Sequence, residues 1–488
     1  TALILYNQSK YYSPSLQYYV PNAYQGLVGR LTYEYASRYL AEFNMGYNGT
    51  ENFAKGKRFG FFPAVSLGWV ISEEKFFPKN NIVKYLKVRG SYGEVGNDQI
   101  GGDRFLYLPS SYGAASDSGV NKYNFGLASN PYTSLMIVEN KIGNPDLTWE
   151  KAKKMNVGVD INLFNNCLTA SFDIFKEKRN NILANRSTSP MIIGANLPAY
   201  NFGEMENRGW EMDLNFRHHI QDFHYWARFN YSFARNEIIY MDEVQKRYDY
   251  QMTTGRRKNQ FFGLIFDGYY NSWEEINALD RPKSSWSGNQ LQPGDVKYVD
   301  VNQDGVIDDY DMVPIGYTPV PEIIYGFSFG AQYKGFDFSI LFQGADNVSI
   351  KYFGRSMWPF AKGEESAKSL IKERWTQERY EAGEKITFPR LSLNPNGETD
   401  HNYRPSTLWI RDASYLRLKN LEVGYTFTGG FVKRLNLNSV RLYFNGSNLF
   451  TWTDVVDLDP EAPSRSGNVE INTYPLQKVY NIGLNINF

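Results

Sequence analysis

The sequence has very little cysteine or histidine. Cys167 is the single cysteine, and there are four histidines. One cysteine cannot form an intrachain disulfide, and the histidines show no spacing typical of a zinc site. A fold stabilised by disulfides or by zinc is therefore excluded, and we expect Cys167 to pack rather than to react.

Long apolar runs and an excess of charge of either sign are also missing. Mean hydropathy is −0.49, and no segment approaches the roughly 20 apolar residues of a membrane-spanning helix. Lysine plus arginine equals aspartate plus glutamate at 52 each, so no overall field favours nucleic acid. Helical spans and a nucleic-acid partner are excluded on these grounds, whereas spanning strands of about 10 alternating residues are not.

Signatures of catalysis are absent as well. There is no HExxH motif, no glycine-rich phosphate loop and no serine elbow. The carboxylate pairs Glu73–Glu74 and Glu274–Glu275 are adjacent in sequence, which does not place two groups across a scissile bond. We therefore expect a protein that is not an enzyme.

Aromatic residues are abundant, at 16% of the chain, and they alternate with small or polar residues. From Tyr325 to Tyr333 every second residue is apolar, and after a turn at Lys334 and Gly335 the alternation resumes from Phe336 to Gln343. This period of two predicts a hairpin with one apolar and one polar face. Alternation alone also fits a soluble β-sandwich.

The connections between such segments favour a membrane barrel over a soluble sandwich, because short turns and long loops alternate. Short turns are predicted at Ala36–Ser37, Asn165–Asn166 and Lys334–Gly335. The long connections cover 96–147, 180–202, 236–320, 346–407 and 451–476, with the apolar segment 261–270 lying inside one of them. A phase break near Asn420 predicts a β-bulge.

This asymmetry is typical of outer-membrane barrels, which have short periplasmic turns and long extracellular loops. We therefore predict an all-β fold, a transmembrane antiparallel β-barrel wall of about 14 strands formed by residues 1–488. Two large extracellular loops are expected at 237–320 and 346–406. An open sheet cannot be stable in lipid, so further strands are expected to complete the barrel.

Several long segments, taken in order, resemble one family. They are NPDLTWEKAKKMNVGVDINLF (144–164), NFGEMENRGWEMDLNF (201–216), GDVKYVDVNQDGVIDDYDMVPIG (294–316), YLRLKNLEVGYTF (415–427), VRLYFNGSNLFTW (440–452) and the terminal Phe488. Together they resemble the C-terminal half of a SusC/RagA-type TonB-dependent outer-membrane transporter.

The resemblance implies a barrel of about 22 strands, of which this chain is the C-terminal portion. It implies an N-terminal plug and TonB box, neither of which this sequence contains, and energy supplied by the TonB complex. It further implies a SusD-like lipoprotein partner that delivers oligosaccharides or, less favoured, peptides, and a C-terminal assembly signal that includes Phe488. Because the chain opens on TALILY without a methionine or signal peptide, we expect a fragment of a longer precursor.

One motif predicts a metal site. Asp300, Asn302, Asp304, Asp308 and Asp311 supply side-chain oxygens at positions 1, 3, 5, 9 and 12 of a calcium loop. Gly305 occupies the sharp turn at position 6, and the Val306 carbonyl is expected to be the ligand at position 7. Aspartate at position 12 is shorter than the usual glutamate, which leaves Mg²⁺ as an alternative to a structural Ca²⁺. An acidic, solvated turn without a metal fits the same pattern.

Other loop features favour packing over ligand binding. Residues 363–385 show helical spacing, including Leu370, Ile371, Arg374 and Trp375, and predict a short loop helix. Tryptophans at 273, 286 and 358 could stack on sugars, although such residues also form loop cores and interfacial girdles. The sequence therefore names no substrate-binding residue.

An alternative function remains open at this point. The same aromatic residues could line the cleft of a secreted or surface glycan-binding protein or glycoside hydrolase, with the calcium loop bracing a β-sandwich. The apolar face discriminates between the two functions, because a barrel exposes Phe172, Phe327 and Phe338 to lipid.

Overall fold

The wall of the molecule is one antiparallel sheet. The computed structural model describes residues 1–12, 21–99, 105–108, 112–114, 122–127, 129, 132–135, 137–139, 142–188, 197–286, 291–352, 358–360, 369–392, 400–455, 458–461, 468–469 and 476–488. Within them, a sheet of 14 strands runs in sequence order, each strand antiparallel to the one before it. The prediction of about 14 wall strands is confirmed.

The wall strands are numbered in chain order. They are β1 Ala2–Tyr11, β2 Asn22–Tyr35, β3 Tyr39–Thr50, β4 Phe59–Val70, β5 Val83–Asn97, β6 Glu150–Leu163, β7 Leu168–Ala184, β8 Tyr200–Ile220, β9 Phe223–Tyr240, β10 Ile323–Tyr333, β11 Phe336–Asp346, β12 Tyr415–Phe427, β13 Ser439–Thr453 and β14 Val479–Asn487. Several extend beyond the segments that alternation alone marks.

The pairing register aligns the alternating residues of neighbouring strands into two faces. Val157 of β6 lies beside Ile174 of β7, which lies beside Trp210 of β8. One residue along, Gly158 lies beside Asp173. Successive side chains point to opposite sides of a strand, so the sheet has one apolar face and one polar face. We call the apolar face the outer face and the polar face the inner face.

The outer face exposes large apolar side chains to its surroundings. Ile174 is 57% exposed and Leu67 62% exposed. Exposed apolar surface of this extent requires an apolar neighbour, and lipid on one side with a polar interior on the other is the arrangement of a transmembrane β-wall.

The ends of the sheet differ in the length of their connections. At one end the turns are tight: Asn165 and Asn166 adopt φ of 56° and 68°, and Lys334 and Gly335 adopt 43° and 90°. Asparagine and glycine tolerate this left-handed region. At the other end lie the long connections, of which we call 241–322 the first excursion and 347–414 the second excursion.

The connections contain short elements of their own. The helices are α1 Trp273–Asn277, α2 Gln377–Glu381 and α3 Phe431–Arg434, with 3₁₀ turns at Ile71–Glu73, Asp249–Gln251, Asp309–Asp311, Ser369–Glu373 and His401–Tyr403. The short strands are Tyr112–Ala114, Lys122–Phe125, Tyr132–Leu135, Ile137–Glu139, Phe262–Gly263, Phe266–Tyr269, Lys283–Ser284, Val296–Tyr298, Val306–Ile307, Val313–Pro314, Ser349–Tyr352, Ile410–Asp412 and Asn468–Val469. As predicted, the segment 261–270 lies outside the wall.

The main hydrophobic core lies in the excursions rather than in the sheet. Residues of both excursions and Val455 pack together in it, and we call this unit the excursion module. Its buried members are Leu264, Tyr269, Val296, Tyr298, Ile307, Val348, Ile350, Tyr352, Trp358, Trp375, Phe388, Tyr403, Leu408, Trp409, Ala413 and Val455. The two excursions therefore fold as one unit.

Of two local predictions, the structure confirms one and contradicts the other. The bulge is confirmed, because the register of β12 with both neighbours shifts between Leu418 and Asn420. The single helix predicted for 363–385 is wrong where the structure describes it. A 3₁₀ turn ends at Glu373 and α2 starts at Gln377, capped by the Thr376 hydroxyl, which accepts from the Arg379 amide at 3.3 Å. Residues 363–368 lie outside the described residues.

In the described sheet β1 pairs only with β2, and β14 pairs only with β13. The described strands therefore do not close the wall into a barrel. The full complement of strands and the plug stay predictions. No helix among the described residues is long and apolar enough to cross a membrane.

Candidate functional site

The inner face holds an ion pair that reaches across a strand. Arg89 of β5 donates two hydrogen bonds of 2.7 Å to the Asp173 carboxylate of β7, and a further one of 3.1 Å to Asp160 of β6. Gly158 of β6 lies between the partners. A Cβ there would lie 2.6 Å from Asp173 Oδ1 and 2.7 Å from Arg89 Cζ. The missing side chain is what lets the charges meet.

A second pair repeats this arrangement at the other side of the sheet. Arg441 of β13 binds Asp337 of β11, with Nε and Oδ1 3.0 Å apart, over Gly424 of β12. A Cβ on Gly424 would lie 2.7 Å from both Arg441 Nη2 and Asp337 Oδ2. The inner face therefore carries fixed charges of both signs, held by the register.

A groove of about 650 Å³ lies beside Arg89 on the inner face. Its lining includes Glu42, Lys87, Ser91 and Asn156. Carboxylate, ammonium, hydroxyl and amide groups all point into the same space. Such a surface can hydrogen-bond a polyhydroxylated or peptidic ligand, and Leu40 and Leu67 add apolar surface to the lining.

Buried polar groups join the two excursions. Asp295 of the first excursion is 3% exposed. It accepts hydrogen bonds from Arg390 Nε at 2.6 Å and Asn402 Nδ2 at 2.8 Å, both from the second excursion. A buried charge is tolerated only when it is paired and hydrogen-bonded, so these contacts fix the two excursions to one another.

His401 of the second excursion also links the two excursions. Its Nε2 lies 2.8 Å from the Val296 carbonyl and its Nδ1 lies 3.0 Å from the Ser284 hydroxyl. Burial lowers the pKa of His401. The neutral imidazole therefore donates from Nε2 to the carbonyl, and Nδ1 accepts from Ser284.

The acidic loop of residues 300–311 lies on the first excursion. Asp300 accepts from the amides of Gln303 at 2.7 Å and Gly305 at 2.8 Å. Asp304 Oδ1 accepts from the Val306 amide at 2.9 Å. Gly305 has φ of 81°, as a sharp turn at position 6 requires.

The end of the acidic loop is more enclosed. Asp311 is fully buried and accepts from the amides of Val301 at 2.8 Å and Asp308 at 2.9 Å. Burial, reinforced by the like charge of Asp300, raises the pKa of Asp311. The oxygen donors fit the chemistry of Ca²⁺ or Mg²⁺, but they face backbone amides. Among the described residues no three His, Cys, Asp or Glu side chains gather around one point.

A tyrosine cluster holds this end of the acidic loop. Tyr250 donates from its hydroxyl to the Tyr310 carbonyl at 2.7 Å, and its ring stacks on Tyr248 at 5.2 Å between centroids. Tyr248 in turn contacts the Tyr310 ring at 5.9 Å. The cluster thus connects the segment that follows β9 to the acidic loop.

The three loop tryptophans have different environments. Trp358 is buried in the excursion module, and Trp286 packs against it under the Arg404 guanidinium, 4.1 Å from the ring centroid. Trp273, in contrast, is 57% exposed. Of the three, only Trp273 offers an open ring face. Trp375, for which packing was favoured, is buried in the same core.

Glu322 forms a buried ion cluster at the base of the first excursion. It is 5% exposed and binds Arg235 Nη2 at 2.8 Å and Arg257 Nε at a shorter distance. Burial alone would raise the pKa of Glu322, but the two guanidinium groups outweigh it and hold that pKa below its usual value.

Arg417 organises another cluster, at the long-connection end of β12. It is 2% exposed and donates to Asp459 at 2.6 Å and to Glu461 at 2.7 Å. Lys419 also binds Glu461, at 3.0 Å. We call these residues the Arg417 clasp, because they hold the connection between β13 and β14 against the wall.

Phe488 follows β14 directly and is 86% exposed. Its carbonyl accepts a hydrogen bond from the side-chain Nδ2 of Asn438. The assembly signal at Phe488 stays a prediction.

Residues 5–449 match the family model described as TonB-dependent receptor-like, β-barrel. The chain belongs to this family of TonB-dependent receptors. The family lies in the bacterial outer membrane and its members are not enzymes, so both of those predictions are confirmed. The alternative of a glycan-binding sandwich or hydrolase loses its support.

Curated relatives of the TonB-dependent receptor chain match it along nearly its whole length. It is 28% identical over 479 residues to TonB-dependent receptor P3 of Formosa agariphila, covering 94% of this chain and 45% of that protein. It is also 28% identical over 477 residues to TonB-dependent receptor SusC of Bacteroides thetaiotaomicron, covering 96% and 44%. The chain spans a little under half the length of these relatives.

Solved structures agree on the fold. The structure of the RagAB peptide importer in the open-open state matches with a TM-score of 0.72 at 22% identity, covering 96% of this chain and 47% of that one. At this identity the similarity establishes the fold alone. The predicted SusC/RagA recognition is confirmed by these matches together.

Sequence reasoning missed the ion clusters of Glu322 and Arg417. Their members are far apart in the chain: Arg235 and Glu322 are separated by 87 residues, and Arg417 and Glu461 by 44. A charged residue within or beside an otherwise alternating strand was the available signal, and it does not identify the partner.

Proposed function

We propose that this chain forms part of the wall of a SusC-like importer that carries oligosaccharides across the outer membrane with energy from TonB. The observation that carries the proposal is the two-faced wall of 14 strands, with one large folded unit at its long-connection end. An apolar outer face suits lipid, and a hydroxyl-, amide- and charge-lined inner face suits a polar ligand.

Fractionation and electrophoresis test the membrane part of this proposal. The whole protein should be extracted from outer membranes by detergent and should migrate differently before and after heating, as a barrel does. Recovery from the soluble fraction without detergent would contradict a lipid-facing wall.

A SusD-like lipoprotein is the proposed partner, with the excursion module as its docking surface. The module is rigidified by Asp295 and His401, so it presents a fixed surface rather than separate loops. Affinity purification of the tagged whole protein in mild detergent, followed by mass spectrometry, should recover a stoichiometric lipoprotein. Purification of the transporter alone under the same conditions would contradict this partnership.

Oligosaccharides are the first proposed ligand and peptides the second; the hydroxyl, amide and charged groups of the inner-face groove by Arg89 can hydrogen-bond either class. Deleting the gene should abolish growth on one oligosaccharide class while growth on monosaccharides continues. Loss of growth on peptides instead would assign the peptide alternative.

We further propose that the acidic loop binds a structural Ca²⁺, with Asp300, Asn302, Asp304, Asp308, Asp311 and the Val306 carbonyl as ligands and Mg²⁺ as a weaker substitute. Extracellular modules bind Ca²⁺ with a Kd of about 10⁻⁴ to 10⁻³ M. The ion would stabilise the first excursion without touching the substrate.

Protease digestion tests the ion. A chelator should accelerate cleavage within the first excursion, and Asp300→Ala with Asp304→Ala should make cleavage fast and insensitive to the chelator. Asp280→Ala, an exposed acid of the same excursion, is the matched control. Identical digestion of the original protein with and without chelator would remove the calcium proposal.

A further inference from the structure

A second pocket lies where the inner face meets the base of the first excursion. It measures about 310 Å³. The long-connection ends of β7, β8 and β9 form its floor, with Arg179, Asn207 and Asn236, and the excursion contributes Arg257, Lys258 and Glu322. This volume matches the lower end of small-ligand sites, roughly 300 Å³, and suits one sugar unit.

The acidic residues around the pocket are already neutralised. Glu177 binds both Arg179 at 3.0 Å and Lys154 at 3.3 Å. Glu322 binds both Arg235 and Arg257. Each of these carboxylates therefore pairs with two cations, one in the lining and one, Lys154 or Arg235, outside it.

The remaining charged groups are one further ion pair and one lysine. Glu206, the third acidic residue of the lining, binds Lys176 at 2.9 Å. Lys258 is exposed, and within the described residues it forms no ion pair. Its backbone amide donates to Asn236 Oδ1 at 2.7 Å, which leaves the Asn236 NH₂ group as a donor.

The lining thus carries three carboxylates and three cations, and because each carboxylate is already paired, the Lys258 ammonium group is left without a carboxylate partner among the described residues. A guanidinium or ammonium group binds a carboxylate through short, charge-assisted hydrogen bonds that are stronger than neutral ones. A neutral sugar would leave that charge without a counterpart.

We propose that this pocket binds a carboxylate of the transported ligand, as carried by a uronic-acid unit of an oligosaccharide. The inference rests on the proposed import function and adds the charge class of the substrate. Lys258 and Arg179 contact the carboxylate, and Asn207 and Asn236 orient the neighbouring hydroxyl groups.

Binding measurements on the whole purified transporter test this inference. Hexagalacturonate and maltohexaose serve as charged and neutral probes, titrated by calorimetry at low salt. Hexagalacturonate should bind more tightly, and Lys258→Gln should weaken its binding by about tenfold, which corresponds to one lost charge-assisted contact. Binding of maltohexaose should not change with this substitution.

Lys246→Gln is the matched control, because Lys246 is an exposed lysine of the same excursion that does not line the pocket. It should leave hexagalacturonate affinity unchanged. Equal loss with both variants, or none with Lys258→Gln, would overturn the inference.

A hexaglutamate probe separates the sources of the carboxylate. Tighter binding of hexaglutamate than hexagalacturonate, with the same dependence on Lys258, would overturn the sugar assignment in favour of acidic peptides. If maltohexaose binds and neither charged probe does, the inference fails while the import function stands. If no probe of any class binds or is taken up, the import function itself fails.

Discussion

The Arg417 clasp should control the opening of the connection between β13 and β14. Arg417 is 2% exposed, and its guanidinium is the main cation facing the Asp459 and Glu461 carboxylates. Removing one partner of a buried ion pair leaves the other charge uncompensated and costs about 3–5 kcal/mol. Arg417→Met keeps much of the side-chain volume and removes the charge.

The amides of the connection report this opening directly. The amides of Glu461 and Leu476 donate to the Asp459 carboxylate at 2.9 and 3.1 Å. A loss of about 3 kcal/mol raises the opening equilibrium by roughly 100-fold. Hydrogen exchange of these amides in Arg417→Met, measured on the whole protein in detergent, should accelerate by that order.

Lys419→Met provides the control. Lys419 binds the same Glu461, but its side chain is 28% exposed, so we expect a loss of less than about 1 kcal/mol. Combining Arg417→Met with Asp459→Asn and Glu461→Gln should restore most of the protection, because the charge that remains, on Lys419, is partly exposed to solvent. Unchanged exchange in Arg417→Met would refute the proposed role of the clasp.

The stability that the Arg417 clasp contributes should depend on pH in a defined direction. Burial alone would raise the pKa of Asp459, but the hydrogen bond from Arg417 and two backbone amides hold it below its usual value. A carboxylate with a lowered folded pKa contributes stability above its unfolded pKa of about 3.9 and loses it as the pH falls through the folded value. Protection of Glu461 and Leu476 should therefore persist from neutral pH to about 4 and decline below.

Two further perturbations test other parts of the molecule. Gly158→Val should break the Arg89–Asp173 pair, because its Cβ would meet both groups within 2.7 Å, and should lower the heat-induced unfolding temperature in detergent. Gly90→Ala, whose Cβ meets only the Asn156 carbonyl at 3.8 Å, should not, and equal effects would contradict the steric argument. His401 has a lowered folded pKa, so the excursion module should lose exchange protection as pH falls below about 6.5. His401→Gln should flatten this dependence, and a profile unchanged by the substitution would exclude His401 as its source.

The sequence by itself determined the architecture of the wall. Side chains of a strand alternate with a period of two whatever the strand pairs with. The sequence of a segment such as 325–333 therefore shows which of its residues share a face. Turn residues such as Asn165 and Gly335 act locally too, because their left-handed backbone is an intrinsic preference. Family resemblance then supplied the outer-membrane location.

Tertiary structure alone decided which charges meet and how the loops fold. Arg89 reaches Asp173 because the register puts Gly158 between them, and Asp295 meets Arg390 because two excursions share one core. A long polar side chain gives no local sign of its partner, and a shift of one residue in register would turn it to the other face. The ion clusters and the carboxylate pocket therefore follow from packing between distant segments, which no local pattern encodes.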